Sequence, residues 1–119
     1  MNISGITFVG IQTEDIDGAH SFYHETLGLP IMQQRPDAVV FDTKPISFAV
    51  RKPLSHLKAA QGNLGAGVAL WFSCKDADAA HEEMQALSIP VVYPPKDGPF
   101  GRHFAFRDPF GYTITVYSA

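Results

Sequence analysis

Residues 6–13 read ITFVGIQT and residues 67–74 read GVALWFSC, two apolar runs with the β-branched and aromatic content of strands. An acidic motif follows each run, DIDGAH from Asp15 to His20 and DADAAH from Asp76 to His81, and there the period changes. Ala77, Ala80, Met84 and Leu87 recur at steps of three and four, which predicts a helix with one apolar stripe and Asp76 as its N-cap. Ile16, Ala19, Phe22 or Tyr23, and Leu27 repeat that spacing, with Asp15 as N-cap and Gly28 as a left-handed C-cap. Pro30 and Pro90 then stop the helices and launch extended segments.

More strands complete each half. Ala38 to Phe41 and Ile46 to Val50 flank the turn DTKP, and Arg102 to Arg107 and Tyr112 to Tyr117 flank the turn DPFG. The acidic motifs are offset by 61 residues and the segments LGLPI and LSIPV by 60, so the chain reads as a duplicated unit. Each copy is strand, helix, strand, strand, strand. Repeat 1 is expected over residues 3–52 and repeat 2 over 67–119, joined by a glycine-containing linker over 53–66 that has room for a short helix.

At 119 residues the chain is expected to form one domain, and 45% hydrophobic with 18% charged residues is ordinary for a soluble globular protein. Nine Phe, four Tyr and one Trp imply an aromatic core or an aromatic-lined pocket. A formal charge of −3 with scattered Lys and Arg excludes a nucleic-acid partner. No apolar run is long enough to span a membrane and MNISGITFVG lacks the features of a signal peptide, so a cytoplasmic location without a membrane partner is expected. The single Cys74 excludes an internal disulfide and an all-Cys metal cage; it reads as a small buried strand residue rather than a reactive thiol.

The duplicated βαβββ unit, with FYHETLGL after the first helix start and FAFRDPFGYTITV near the C-terminus, resembles the vicinal oxygen chelate superfamily. That group includes glyoxalase I, extradiol dioxygenases, fosfomycin-resistance enzymes and bleomycin-resistance proteins. The resemblance covers essentially the whole chain. It implies an α+β fold of two tandem units whose curved mixed sheets enclose a cleft, with helices outside, and it implies a homodimer.

Enzymes of the superfamily hold a divalent metal through His and Glu side chains on the strands. The resemblance puts the corresponding positions at Phe8, seven residues before Asp15; at Ala69, seven before Asp76; at Thr115, where the Glu of a DPxGxxxE pattern falls; and at Phe48, its first-half counterpart. Phe and Ala offer no lone pair and a neutral Thr hydroxyl is a poor substitute for carboxylate or imidazole. The neighbouring Val9, Val68 and Ile114 are equally inert. No metal and no other cofactor are therefore expected, and the chain looks like the metal-free, drug-binding members. His20 and His24 have the i, i+4 spacing that can bring two imidazoles to one metal, but no third ligand is evident, so a solvated face is expected. His56 in the linker and His81 on the second helix are expected to face solvent.

Side chains alternate along a strand, so one inward position implies others. Phe8 brings Ile6, Gly10 and Gln12; Ala69 brings Trp71 and Ser73; Thr115 brings Thr113 and Tyr117; and His103, Ala105 and Arg107 join them while Phe104 and Phe106 pack on the helix. The candidate ligand-binding residues are Phe8, Gln12, Phe48, Trp71, Arg102, His103, Thr113 and Thr115, with Trp71 foremost as a stacking surface. The alternative for Phe8 and Phe48 is collapse into a filled core. The segment PPKDGPFGR, Pro94 to Arg102, reads as a loop that gates the site, with Arg102 either offering a fork to an anionic ligand group or pairing with a surface acid. Asp108 reads as a turn former. No nucleophile triad or P-loop can be assembled, and His103 as a general base would need an orienting partner, so no catalytic residue is assigned.

The expected function is metal-free binding of a small aromatic ligand or antibiotic, as in resistance or sequestration. The alternatives are a metal-dependent lyase, isomerase or dioxygenase of the superfamily with atypical ligands, an enzyme using His103 and Arg102 without metal, and a scaffold with a filled core.

Overall fold

The computed structural model describes residues 1–53 and 65–119. Most of the expected linker, including His56, lies outside the described residues. The chain divides into two compact units after residue 61.

The first unit runs β1 (Phe8–Gln12), α1 (Ile16–Ala19) continuing directly as a π-helical segment (His20–Thr26), β2 (Ile31–Arg35), β3 (Ala38–Phe41) and β4 (Ser47–Arg51). The second runs β5 (Leu70–Ser73), α2 (Ala77–Ala86), β6 (Val91–Gly98), β7 (Gly101–Arg107) and β8 (Thr113–Ser118). Each forms a four-stranded mixed sheet, in the orders β1-β4-β3-β2 and β5-β8-β7-β6. In each, the first strand crosses over to pair in parallel with the last, and the other pairs are antiparallel. The expected α+β architecture of two βαβββ units is the one observed.

Both helices start at the predicted aspartates. Asp15 accepts a hydrogen bond from the Gly18 amide at 2.8 Å, and Asp76 accepts one from the Ala79 amide at 3.2 Å. Each cap satisfies one of the amides that a helix start leaves without an intrahelical partner. The first helix ends at Gly28 with φ +80°, as expected, and the second reaches the same left-handed conformation 60 residues later at Ser88, φ +58°. Two expectations fail at these ends. The first helix widens into a π-helical turn, with the Leu27 amide bonded to the Phe22 carbonyl at 2.9 Å. Leu87 is exposed, because α2 has ended by then and Ile89 supplies the apolar contact beyond the cap.

One face of each sheet packs on its helix. In the first unit Ile16, Ala19 and Tyr23 meet Val39, Phe41, Phe48 and Val50, with the Tyr23 ring 5.1 Å from Phe48 and 5.8 Å from Phe41. In the second, Ala77 and Met84 join Phe104, Phe106, Ile114 and Val116 in the core. His81, expected in solvent, is half-buried, its ring edge-on to Phe104 at 5.4 Å. At about 1.5–3 kcal/mol for each large apolar side chain removed from water, these two clusters dominate the stability of their units.

The segment Pro94 to Arg102 is a hairpin, not a loop. β6 extends to Gly98 and pairs with β7 through Lys96 opposite His103, Asp97 opposite Arg102 and Gly98 opposite Gly101. Pro94 and Pro95 sit in the register shift between Tyr93 and Lys96 on an edge strand, where a missing amide donor breaks no ladder.

Candidate functional site

Residues opposite one another in a ladder share a face. On the second sheet Trp71 lies opposite Thr115, Ser73 opposite Tyr117, His103 opposite Tyr117, Ala105 opposite Thr115, and Arg107 opposite Thr113. On the hairpin, Tyr93 lies opposite Ala105 and Lys96 opposite His103. All of these stand on the face turned away from α2, since Phe104 and Phe106 between them are in the helix-packed core. Four of the expected residues, Trp71, His103, Thr113 and Thr115, are thereby brought to one surface.

Trp71 organises it. The residue is 41% exposed, although its ring centroid lies 5.5 Å from His103, 5.6 Å from Tyr117 and 5.8 Å from Phe100. A large aromatic residue supported by three rings and still open on one side can accept a planar molecule without reorganising. His103 is held from several directions: its Nδ1 lies 2.7 Å from the Tyr93 hydroxyl, and its Nε2 lies over the bare backbone of Gly98, 2.7 Å from where a Cβ would stand. The Lys96 ammonium sits 4.5 Å above the Tyr93 ring, a cation–π contact that extends the cluster.

Tyr93, Lys96 and Phe100 were not among the expected site residues, and Tyr117 was expected only to share the face. The two prolines break the period-two pattern on β6, so the ladder was needed to place Tyr93 and Lys96.

Phe8 and Gln12 occupy the corresponding face of the first sheet, Phe8 61% exposed. Phe48 does not. It lies opposite Val9, in the helix-packed core, and stacks 5.9 Å from Phe41. Trp71 has Thr115 opposite it, and Gly10, 61 residues earlier, has Ala49 opposite it. Ala49 is therefore the counterpart of Thr115, one residue from the position expected. Arg102 is also removed from the site: its guanidinium contacts Asp78 on α2 at 3.2 Å and Asp97 at 3.4 Å, and these carboxylates raise its pKa further. The alternation that points His103 one way points Arg102 the other.

The positions where relatives place metal ligands thus hold Phe8, Ala49, Ala69 and Thr115. Three hydrocarbon side chains and a hydroxyl do not fit a divalent cation. Among the described residues no three His, Cys, Asp or Glu side chains gather as a metal site. His20 bonds Glu25 at 3.2 Å and His24 bonds the Leu29 carbonyl at 2.7 Å through their Nδ1 atoms, pairings five residues apart that suit the π-helical turn. Asp108 is buried and accepts from the Phe110 and Tyr112 amides at 3.0 and 2.8 Å, so it shapes the turn as expected. Cys74 is half-buried, and desolvation pushes its thiol pKa up, away from reactivity.

Two βαβββ units, each with one helix-covered and one helix-free sheet face, define a recognisable class of ligand-binding and enzymatic scaffolds. The family model of the Glyoxalase/Bleomycin resistance protein/Dioxygenase superfamily matches residues 5–116, and the chain belongs to that superfamily. Among solved structures, a protein of unknown function from Agrobacterium tumefaciens str. C58 is 25% identical with a TM-score of 0.78, over 100% of this chain and 97% of its own. TnmS3, an antibiotic binding protein from Streptomyces sp. CB03234, is 24% identical with a TM-score of 0.80, over 99% and 98%. A lactoylglutathione lyase from Agrobacterium tumefaciens is 24% identical with a TM-score of 0.71, over 100% and 96%. No curated protein matches the chain. No helix among the described residues is long and apolar enough to cross a membrane.

Proposed function

We propose that the protein binds a small aromatic molecule on the helix-free face of its second sheet and holds it without metal, in a sequestering or resistance role. The observation that carries this reading is Trp71, 41% exposed at the centre of a ring cluster made by Phe100, His103 and Tyr117. Thr115 opposite it, and Thr113 two residues back on the same face of β8, supply hydroxyls that can orient a ligand, the usual division between apolar affinity and sparse polar specificity. The donor-poor set Phe8, Ala49, Ala69 and Thr115 supports a metal-free site. Likeness to an antibiotic binding protein over nearly the whole of both chains supports the ligand class.

Trp71 is the only tryptophan, so its fluorescence reports on the site directly. A panel of aromatic compounds and antibiotics should contain members that change this emission saturably and raise the melting temperature. If no member of a broad panel does either, the binding reading fails. Stoichiometric Zn, Ni, Mn or Fe in protein purified without a histidine tag would overturn its metal-free part and restore the metal-dependent lyase, isomerase or dioxygenase. The Tyr93–His103 hydrogen bond favours a second reading, proton transfer without metal, because it gives His103 the orienting partner a general base needs. Chemical change of a bound ligand over hours, abolished in His103→Gln, would select it.

A further inference from the structure

The charges of this chain are sorted by element. Of its twelve Asp and Glu residues only Asp97 lies in a strand, whereas Arg35, Arg51, Lys96, Arg102 and Arg107 all do. Asp97 lies opposite Arg102, on the side of the hairpin where Arg102 meets Asp78 of α2. The helix-free face of the second sheet therefore carries Lys96, His103 and Arg107 and no strand carboxylate. The first sheet has the same bias, since Arg35 and Arg51 both lie opposite Ala38, and Arg51 also lies opposite Gln12. The strands of the helix-free faces therefore contribute cations and no carboxylate, in a protein of formal charge −3.

Building on the binding function proposed above, we infer that the ligand is an aromatic acid. Its ring lies against Trp71 and its acidic oxygen turns toward Lys96 and His103. The contacts form a continuous path: Lys96 over Tyr93 at 4.5 Å, Tyr93 bonded to His103 at 2.7 Å, and His103 beside Trp71 at 5.5 Å. If the Tyr93 hydroxyl donates to Nδ1, the neutral imidazole keeps its proton on Nε2, a donor that matches a carboxylate or phenolate acceptor. A cationic ligand finds no carboxylate on these strand positions.

Calorimetric titration at neutral pH and low salt with naphthoate, naphthalenemethanol and naphthylmethylammonium tests this on one ring system. Naphthoate should bind roughly 5- to 10-fold more tightly than the alcohol, as one partly exposed ionic contact and one hydrogen bond to a carboxylate allow, and the ammonium most weakly. Raising the salt should shrink the advantage. Lys96→Gln, at an exposed position, should reduce the naphthoate advantage over the alcohol roughly 2- to 5-fold, while Lys96→Arg restores it. Equal binding of all three probes, or preference for the ammonium, overturns the aromatic acid and leaves aromatic binding standing. Binding of none overturns both.

Discussion

The Tyr93 hydroxyl and the Nδ1 of His103 lie 2.7 Å apart across adjacent strands, an edge-on aromatic pair joined by a hydrogen bond. Tyr93→Phe keeps the ring and the Lys96 contact but removes that bond. It should cost about 1 kcal/mol of stability. It should also weaken a ligand that touches His103 by several-fold, read by thermal melting and by titration of the Trp71 emission.

Core and site separate on opposite faces of the strands, so their substitutions should separate as well. Phe48, 4% exposed and in contact with the Tyr23 and Phe41 rings, should cost about 3–5 kcal/mol as Phe48→Ala. Trp71→Phe, at a position already 41% exposed, should cost under about 1.5 kcal/mol and yet reduce binding of an aromatic ligand. Chemical denaturation paired with calorimetry checks both.

Phe8 and Phe48, both expected at the site, stand on opposite faces of the first sheet, which shows how the strands must be read. Their faces were legible from alternation wherever an anchor lay on the same strand: Phe8 gave Gln12, and Thr115 gave Thr113. Phe48 was aligned through a turn instead, and a slip of one residue moves a side chain to the other face. The acidic motifs located the helix starts because capping is local chemistry. The π-helical turn and the bulged hairpin depend on tertiary packing, and neither left a mark at the level of single-residue spacing. Tyr93 and Lys96 stayed hidden for that reason.

The two left-handed helix ends differ in the residue they use. Ser88 adopts φ +58° where its counterpart Gly28 has φ +80°. A side chain in that conformation is strained, so Ser88→Gly should stabilise the fold by roughly 0.5–1 kcal/mol, and Gly28→Ala should destabilise it by about 1 kcal/mol. Both are measurable as shifts in a denaturation midpoint.

Asp108 distinguishes a structural carboxylate from a chemical one. The Phe110 and Tyr112 amides both donate to its Oδ1. Asn can present the same acceptor, so Asp108→Asn should be mild, while Asp108→Ala leaves two amides without it and should cost about 2–3 kcal/mol. Equal, large losses of ligand binding in both variants, with stability intact, would instead make the charge itself functional.

Gly98 and His103 impose an order on how this site can change. A methyl at residue 98 would stand 2.7 Å from the imidazole, so any side chain there requires the His103 ring to turn aside from its place beside Tyr93. Once residue 103 has become small, residue 98 is released and new side chains can occupy the space. The bare backbone at residue 98 is therefore a condition of the Tyr93–His103 pair, and a side chain added there is felt first as a loss of that hydrogen bond.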